Sequence, residues 1–395
     1  MNLEFGSGRT VLTLLGSPSH ACDGVTRRTL LQAAGAGLLG TSLARITAAE
    51  NAGAVRPAKA RSVIFLFLFG GPSQLETFDL KPQAADAIRG PFRPIASRTP
   101  GLRICEHLPR TAAVSDKFCV IRTMSHPYND HSSAGHYLQT GHPWSIPIGS
   151  GFNATPNDWP SMGSVVSANL RKSAKADSSD LPSYVVLPNS LGRIQEGLVL
   201  RRPGEYAGWL GSAYEPVTTA IDKRSPTDNP YWRDCSDAEL RFQIQGLADS
   251  KDLVLDRLNR RRSLVEKFDH LCRRVDHSRA LDGYDESEKR ALALVTSDRA
   301  RRALNIRGES AATRDRYGRH LFGQATLMAR RLVEAGVRFV TVHYDAVDGY
   351  SWDSHLNSRD VKDHLLPTFD QAYSALLEDL HDRGLLGETL VVALG

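Results

Sequence analysis

Apolar residues in this chain recur with two periods, and the change between them marks out the elements. Residues 62–69 (SVIFLFLF) form a nearly continuous apolar run, stopped by Gly70-Gly71-Pro72. Length, aromatic and β-branched content and the glycine stop predict a central strand buried on both faces. Residues 118–124, 184–187, 337–342 and 389–394 are shorter runs of the same kind and predict four more strands. Between them the period lengthens to that of helices, over 131–139, 162–170, 237–275, 286–304, 313–335 and 360–383. In the last of these Leu365, Leu366, Phe369, Tyr373, Leu376, Leu377 and Leu380 form one stripe. Asp130 stands where an N-cap belongs, and Gly336 and Gly384 where helices end.

Strands alternating with helices predict an α/β fold, a mostly parallel sheet with helices on both faces. The main domain is expected over 61–395, with a helical insertion at 236–335. Residues 188–235 are rich in Gly, Pro and polar side chains and read as long surface loops. Residues 50–60 read as a linker. Residues 1–49 read as an N-terminal extension and signal peptide. There Arg27-Arg28 precede an apolar run from Leu30 to Leu43, too short to span a bilayer permanently, and Thr47-Ala48-Ala49 offers a small-residue cleavage site. Twin arginine, modest apolar run and small-residue exit together form a Tat-type export signal, so a periplasmic or extracellular protein is expected.

Composition adds limits. A chain of 395 residues has room for one large domain or two ordinary ones, and 41% hydrophobic with 24% charged residues is a soluble globular balance. The net charge of +5 comes with no nucleic-acid reading motif, and Arg260-Arg261-Arg262 reads as a solvated helix face, so no nucleic-acid partner is expected. Five cysteines are too few for a disulfide scaffold; Cys22 lies in the leader, and Cys105, Cys119, Cys235 and Cys272 contain no C-x-x-C pair and read as small buried hydrophobes.

The chemistry is concentrated at strand exits, which parallel order places at one sheet edge. After the first strand, GGPSQLETFD offers Gln74, Glu76 and Asp79. The stretch SHPYNDHSSAGHYLQTGH holds His126, His131, His136 and His142, four of the chain's thirteen histidines, with Asp130 directly before His131. HYDAVDGYSWDSH offers His343, Asp345, Asp348, Asp353 and His355. Mixed imidazole and carboxylate donors suit zinc or another transition ion, whereas carboxylates alone suit magnesium or calcium.

Taken in order, VIFLFLFGGPSQLETFD, RGPF, ICEHLPR, the histidine stretch ending in TGH, WDSH and DQAYSALLEDLHDRGLLGETLVV resemble the domain-of-unknown-function 1501 family over residues 25–395. That family is grouped with the alkaline phosphatase and sulfatase superfamily. The resemblance implies a sulfatase-like fold, metal-dependent hydrolase ancestry and one or two divalent ions. Asp353 and His355 of WDSH match the superfamily's later Asp and His ligands. Counting back from Leu138-Gln139-Thr140-Gly141, the nucleophile position falls on His131.

Three departures accompany the likeness. The first strand ends in Gly-Gly instead of Asp, which moves the first ligand to Gln74, Glu76 or Asp79. No Cys or Ser occupies the nucleophile position. The family continues after the last strand with E-F-G-R-T-P and D-H-W segments, so truncation at Gly395 is expected.

The expected protein is an exported hydrolase of sulfate or phosphate esters, acting on a small-molecule or polysaccharide ester. Its expected divalent ion, zinc, calcium or magnesium, sits among Glu76, Asp79, Asp130, Asp353 and His355, with His131 as the catalytic group. The alternative is a sulfatase-like binding or structural protein that has lost catalysis. The other expected partner is the Tat machinery, with no permanent membrane span.

Overall fold

The apolar run that starts at Ser62 forms strand β1 (Ser62–Phe67), and Ile64 to Phe67 are at most 3% exposed. The computed structural model describes residues 59–146, 153–172, 181–188, 201–221, 223–225, 228–244, 298–345, 351–354 and 358–395. After β1 a hairpin pairs β2 (Pro94–Ala96) with β3 (Arg103–Cys105). Next come α1 (Pro109–Ala113), α2 (His131–Thr140), α3 (Met162–Lys172), β4 (Tyr184–Leu187), β5 (Val217–Ala220) and β6 (Gln243–Ile244). The rest is α4 (Asp298–Leu304), α5 (Ala311–Tyr317), α6 (Leu321–Ala335), β7 (Phe339–His343), α7 (Leu366–Asp382) and β8 (Thr389–Leu394).

The fold is α/β. A six-stranded sheet has the order β6-β5-β4-β7-β1-β8, in which only β6 runs antiparallel. Because side chains alternate along a strand, β1 and its exit split cleanly between two cores. Ile64, Leu66 and Leu68 join Val340, Val342 and the buried stripes of α6 and α7. Phe65, Phe67 and Phe69 face the other way with Tyr184, Val186 and Phe339, against Leu138 of α2 and Val166 of α3. Helices therefore cover both faces. Each fully buried Phe or Leu contributes roughly 1.5–3 kcal/mol.

Four of the five predicted strands form as expected, with bounds shifted by a few residues. Residues 118–124 do not. They run without sheet partners, and Ile121 and Met124 are 67% and 73% exposed. β7 and β8 flank β1 on both sides, and Phe118 packs instead against Phe78 and Tyr373. The helix expected over 313–335 is two. Gly318 (φ +90°) breaks it, and the His320 side chain caps α6 by accepting from the Gly323 N–H at 3.1 Å. The expected insertion begins otherwise than predicted, since residues 237–240 form a turn leading into β6, and 245–297 lie outside the described residues. At the last helix, Pro367 has no N–H to donate, and the chain enters α7 through the widened turn Val361–Leu365. Cys105 and Cys235 are buried free thiols pushed up to about 11 by burial, whereas Cys119 is exposed. No described helix is long and apolar enough to cross a membrane.

One buried ion network ties these helices together. The Arg330 side chain of α6, 1% exposed, lies 2.8 Å from Glu309, 2.6 Å from Glu334 and 2.9 Å from Asp379 of α7. Tyr317 of α5 donates to the same Asp379 at 2.9 Å. Burial raises the Asp379 carboxyl, but the Arg383 hydrogen bond and the Arg330 charge outweigh it and hold it below the usual range.

Replacing Arg330 with Ala strands the buried carboxylates and should cost about 3–5 kcal/mol, read by urea unfolding. A second effect is pH-linked. Burial lowers the His320 imidazole from 6.5 to about 4, so the unfolded chain takes up a proton that the folded one refuses. Stability is therefore full above pH 6.5 and falls as pH drops toward 4, by about 3 kcal/mol from this residue. His320→Asn keeps a capping oxygen and should flatten that part of the profile; an unchanged slope would remove His320 as its source.

Candidate functional site

β1 and β7 are neighbours in the sheet, and the loops that leave their carboxyl ends meet. Gly70 makes that meeting possible. Its φ is +113°, and a Cβ there would stand 1.9 Å from the Asp353 backbone nitrogen. The strand exits through glycine because the backbone of Trp352 and Asp353 lies directly on it.

Asp353 then faces the start of α2. Its Oδ2 is 3.0 Å from His131 Nε2, with the histidine side chain 45% exposed and the aspartate 18%. His131 is the first residue of α2. Asp130 caps that helix, its Oδ1 accepting from the Ser133 N–H at 2.9 Å, and its Oδ2 is buried with no hydrogen-bond partner among the described residues. The His131 ring leans on Phe69 at 5.3 Å between centroids. On the same Phe69 ring the Arg202 guanidinium sits at 3.7 Å, and it pairs at 3.4 Å with Asp345, which is fully buried.

Behind Phe67 lies a second histidine–carboxylate pair. His343, the last residue of β7, contacts Glu205 through Nε2, and both side chains are 3% exposed or less. The Tyr184 hydroxyl donates to the Glu205 carbonyl at 3.3 Å, and burial raises that phenol well above its ordinary range. The site thus combines a half-exposed imidazole held by a carboxylate, a helix N-terminus and an arginine. Such a set can orient a nucleophile or base and attract an anionic ester.

The sequence-derived residues divide. Asp130, His131 and Asp353 come together. Glu76 is half-buried on the turn Gln74–Glu76, its carboxyl raised by desolvation, and Asp79 is held by Lys81 at 2.6 Å with Arg122 at 3.8 Å. Neither completes a set with His131 and Asp353: among the described residues no three His, Cys, Asp or Glu side chains converge closely enough to hold an ion. His355 lies outside the described residues, as do Arg27 and Arg28. His126 is exposed beside Tyr128 and Tyr137. His136 is fully buried, lowered by burial, and bonded through Nδ1 to the His142 carbonyl at 2.9 Å. His142 stacks on Trp159.

Arg202 and Glu205 are invisible to sequence reasoning because their segment shows no periodicity. His343 and Asp345 had a signal: counted by twos from Phe339, they fall on the face of Phe65 and Phe67.

A family model described as "Protein of unknown function (DUF1501)" matches residues 60–395. No curated protein and no solved structure matches the chain.

Gly70 and Gly71 give a paired prediction. A Cβ at Gly71 would meet nothing within 4 Å, so at φ +94° Gly71→Ala should cost about 1–3 kcal/mol of backbone strain alone. Gly70→Ala adds a backbone clash and should destabilise distinctly more, seen as a lower urea midpoint. Equal midpoints would contradict the close approach to Asp353.

Proposed function

The chain belongs to the DUF1501 family, and on that premise we propose that it is an exported, metal-dependent hydrolase of sulfate or phosphate esters. The observation that carries the reading is the His131–Asp353 pair, 3.0 Å apart at the N-terminus of α2 and beside the carboxyl end of β1. Crevices at the carboxyl ends of parallel strands are where open α/β sheets bind their ligands.

The donors present are of the right chemistry for a divalent ion. His131 Nε2 and Asp353 Oδ2 would hold it, Asp130 keeps a spare buried oxygen nearby in sequence, and His355 is the further donor that the family resemblance supplies. When bound, such an ion polarises the ester oxygens and acidifies water.

The chain's own groups account for the rest. Without an ion Asp353 Oδ2 holds Nε2 and fixes the His131 ring, so a base or nucleophile role falls to Nδ1; with an ion Nε2 and Oδ2 would share it as ligands. Arg202, spread on Phe69 and paired with Asp345, supplies positive charge for a sulfate or phosphate group, as does the N-terminal end of α2. The buried Glu205–His343 pair holds the 201–210 segment, and hence Arg202, against β7. A sulfatase-like architecture is the frame that best suits this placement. Export rests on Arg27-Arg28, the apolar run after them and the small-residue exit.

Purified full-length protein should contain a stoichiometric divalent metal by elemental analysis and hydrolyse aryl sulfates or aryl phosphates, with activity lost to chelator. Asp353→Asn should lower kcat/KM by at least about 100-fold, or roughly 3 kcal/mol. His131→Ala distinguishes roles: loss of metal with activity marks a ligand, loss of activity alone a base or nucleophile. Absence of metal together with no turnover by the wild type would leave the catalytically inactive reading, whereas turnover unchanged in both variants would place the chemistry away from His131 and Asp353. For export, Arg27→Lys with Arg28→Lys should retain the protein in the cytoplasm, measured by cell fractionation; normal export of that variant would exclude the Tat route.

A further inference from the structure

We propose that the protein has a second anion site, a cationic cavity between the loop after β1 and the β2–β3 hairpin, which takes the phosphate group of a small organic phosphate monoester. The proposal does not rest on the hydrolase reading above.

Three stretches far apart in the chain line this cavity, and each brings a cation. Lys81 comes from the loop after β1, Arg103 from β3, and Arg122 from the run 118–124 that joins no sheet. One carboxylate, Asp79, stands among them, its side chain 13% exposed. It pairs with Lys81 at 2.6 Å and leaves Arg122 at 3.8 Å, beyond hydrogen-bonding distance. Arg103 donates to the Pro94 carbonyl at 2.9 Å and pairs with no carboxylate among the described residues. That bond uses one of the five N–H groups of its guanidinium. Three positive charges against one negative leave the lining with an excess of two.

The backbone is set for this arrangement. Lys81 has φ +52° and is the one described residue other than glycine in the left-handed region. That conformation strains a residue with a Cβ, and such strain gathers at ligand sites. In it Lys81 reaches back to Asp79, two residues earlier, while its carbonyl accepts from the Ala84 N–H at 2.9 Å. Phe118, packed against Phe78 and Tyr373, anchors the run that carries Arg122.

Size and charge together select the ligand. The cavity measures about 500 Å³, within the range of roughly 300–1,000 Å³ usual for small-molecule sites. A bare phosphate or sulfate ion would fill only a small part of it. Leu80, 3% exposed, forms apolar wall with Pro82, Ala84 and Pro94, and suits an organic body. Lys81 and Arg122 approach the same carboxylate, so positive charge is concentrated at one point. A dicarboxylate would need it divided between two ends. A phosphate monoester carries roughly −1.5 to −2 at neutral pH on three acceptor oxygens, which matches the excess of two. A sulfate ester or a single carboxylate brings only one charge.

The test is isothermal titration calorimetry of the full-length protein with phenylphosphonate and with propylphosphonate. Their carbon–phosphorus bonds resist hydrolysis, so turnover elsewhere on the protein does not disguise binding. The expected result is saturable binding at physiological ionic strength, weakened roughly tenfold in Arg103→Gln and in Arg122→Gln, each of which removes a charge-assisted contact. Arg61→Gln removes an equal charge from the exposed residue before β1 and should bind as the wild type does. His131→Ala should also bind normally. Unchanged thermal melting of the variants separates a lost contact from lost folding. No saturable binding of either phosphonate, full affinity in both cavity variants, or equal weakening by Arg61→Gln would each overturn the site. Loss of binding in His131→Ala with retention in the cavity variants would move the anion to the start of α2 and overturn it too. Phenyl sulfate or succinate binding as tightly as phenylphosphonate would overturn the choice of head group.

Discussion

A strand buried on both faces must supply two different cores from alternate residues, and β1 meets that demand with aliphatic side chains on one side and phenylalanines on the other. This division organises the molecule. The aliphatic side receives the long helices α6 and α7, which cross-link through the Arg330 network. The aromatic side receives α2 and α3, and Phe69 carries the same alternation past the end of the strand into the site. There its ring serves as the floor for both His131 and Arg202. Core packing and the candidate site are thus continuous: the ring that ends the hydrophobic face also positions an imidazole and a guanidinium.

Close backbone approach is the second constraint. Three glycines are required at particular contacts rather than for general flexibility: Gly70 beneath Asp353, Gly204 against α2 and Gly208 against Asp158. Each brings a loop to within a distance that any side chain would prevent. At Gly70 the requirement is steric, because the backbone of Trp352 and Asp353 rests on it. The same tight assembly places Arg202 and Glu205 beside β1 and β7, although they come from a segment with no regular structure of its own.

Much of the architecture was legible in the sequence. Residues 62–69, 184–187, 337–342 and 389–394 announced their strands because buried parallel strands need unbroken apolar runs, and the α7 stripe and the Asp130 cap were equally local signals. The run at 118–124 looked the same, but β7 and β8 already hold both sides of β1 and the run packs through Phe118 on Phe78 and Tyr373 instead, a fact that belongs to strand order and not to composition. At the site, chemistry picked out His131 and Asp353 as residue types suited to the task, and the fold brought them to 3.0 Å. Glu76 and Asp79 were equally suitable types, but direction decided otherwise, since the turn at Gln74–Glu76 leads Asp79 to Lys81 and Arg122. Arg202 and Glu205 had no sequence signal at all. Periodicity reports which face of an element is apolar, and what an irregular segment touches is set only when two glycines allow it to lie against a helix.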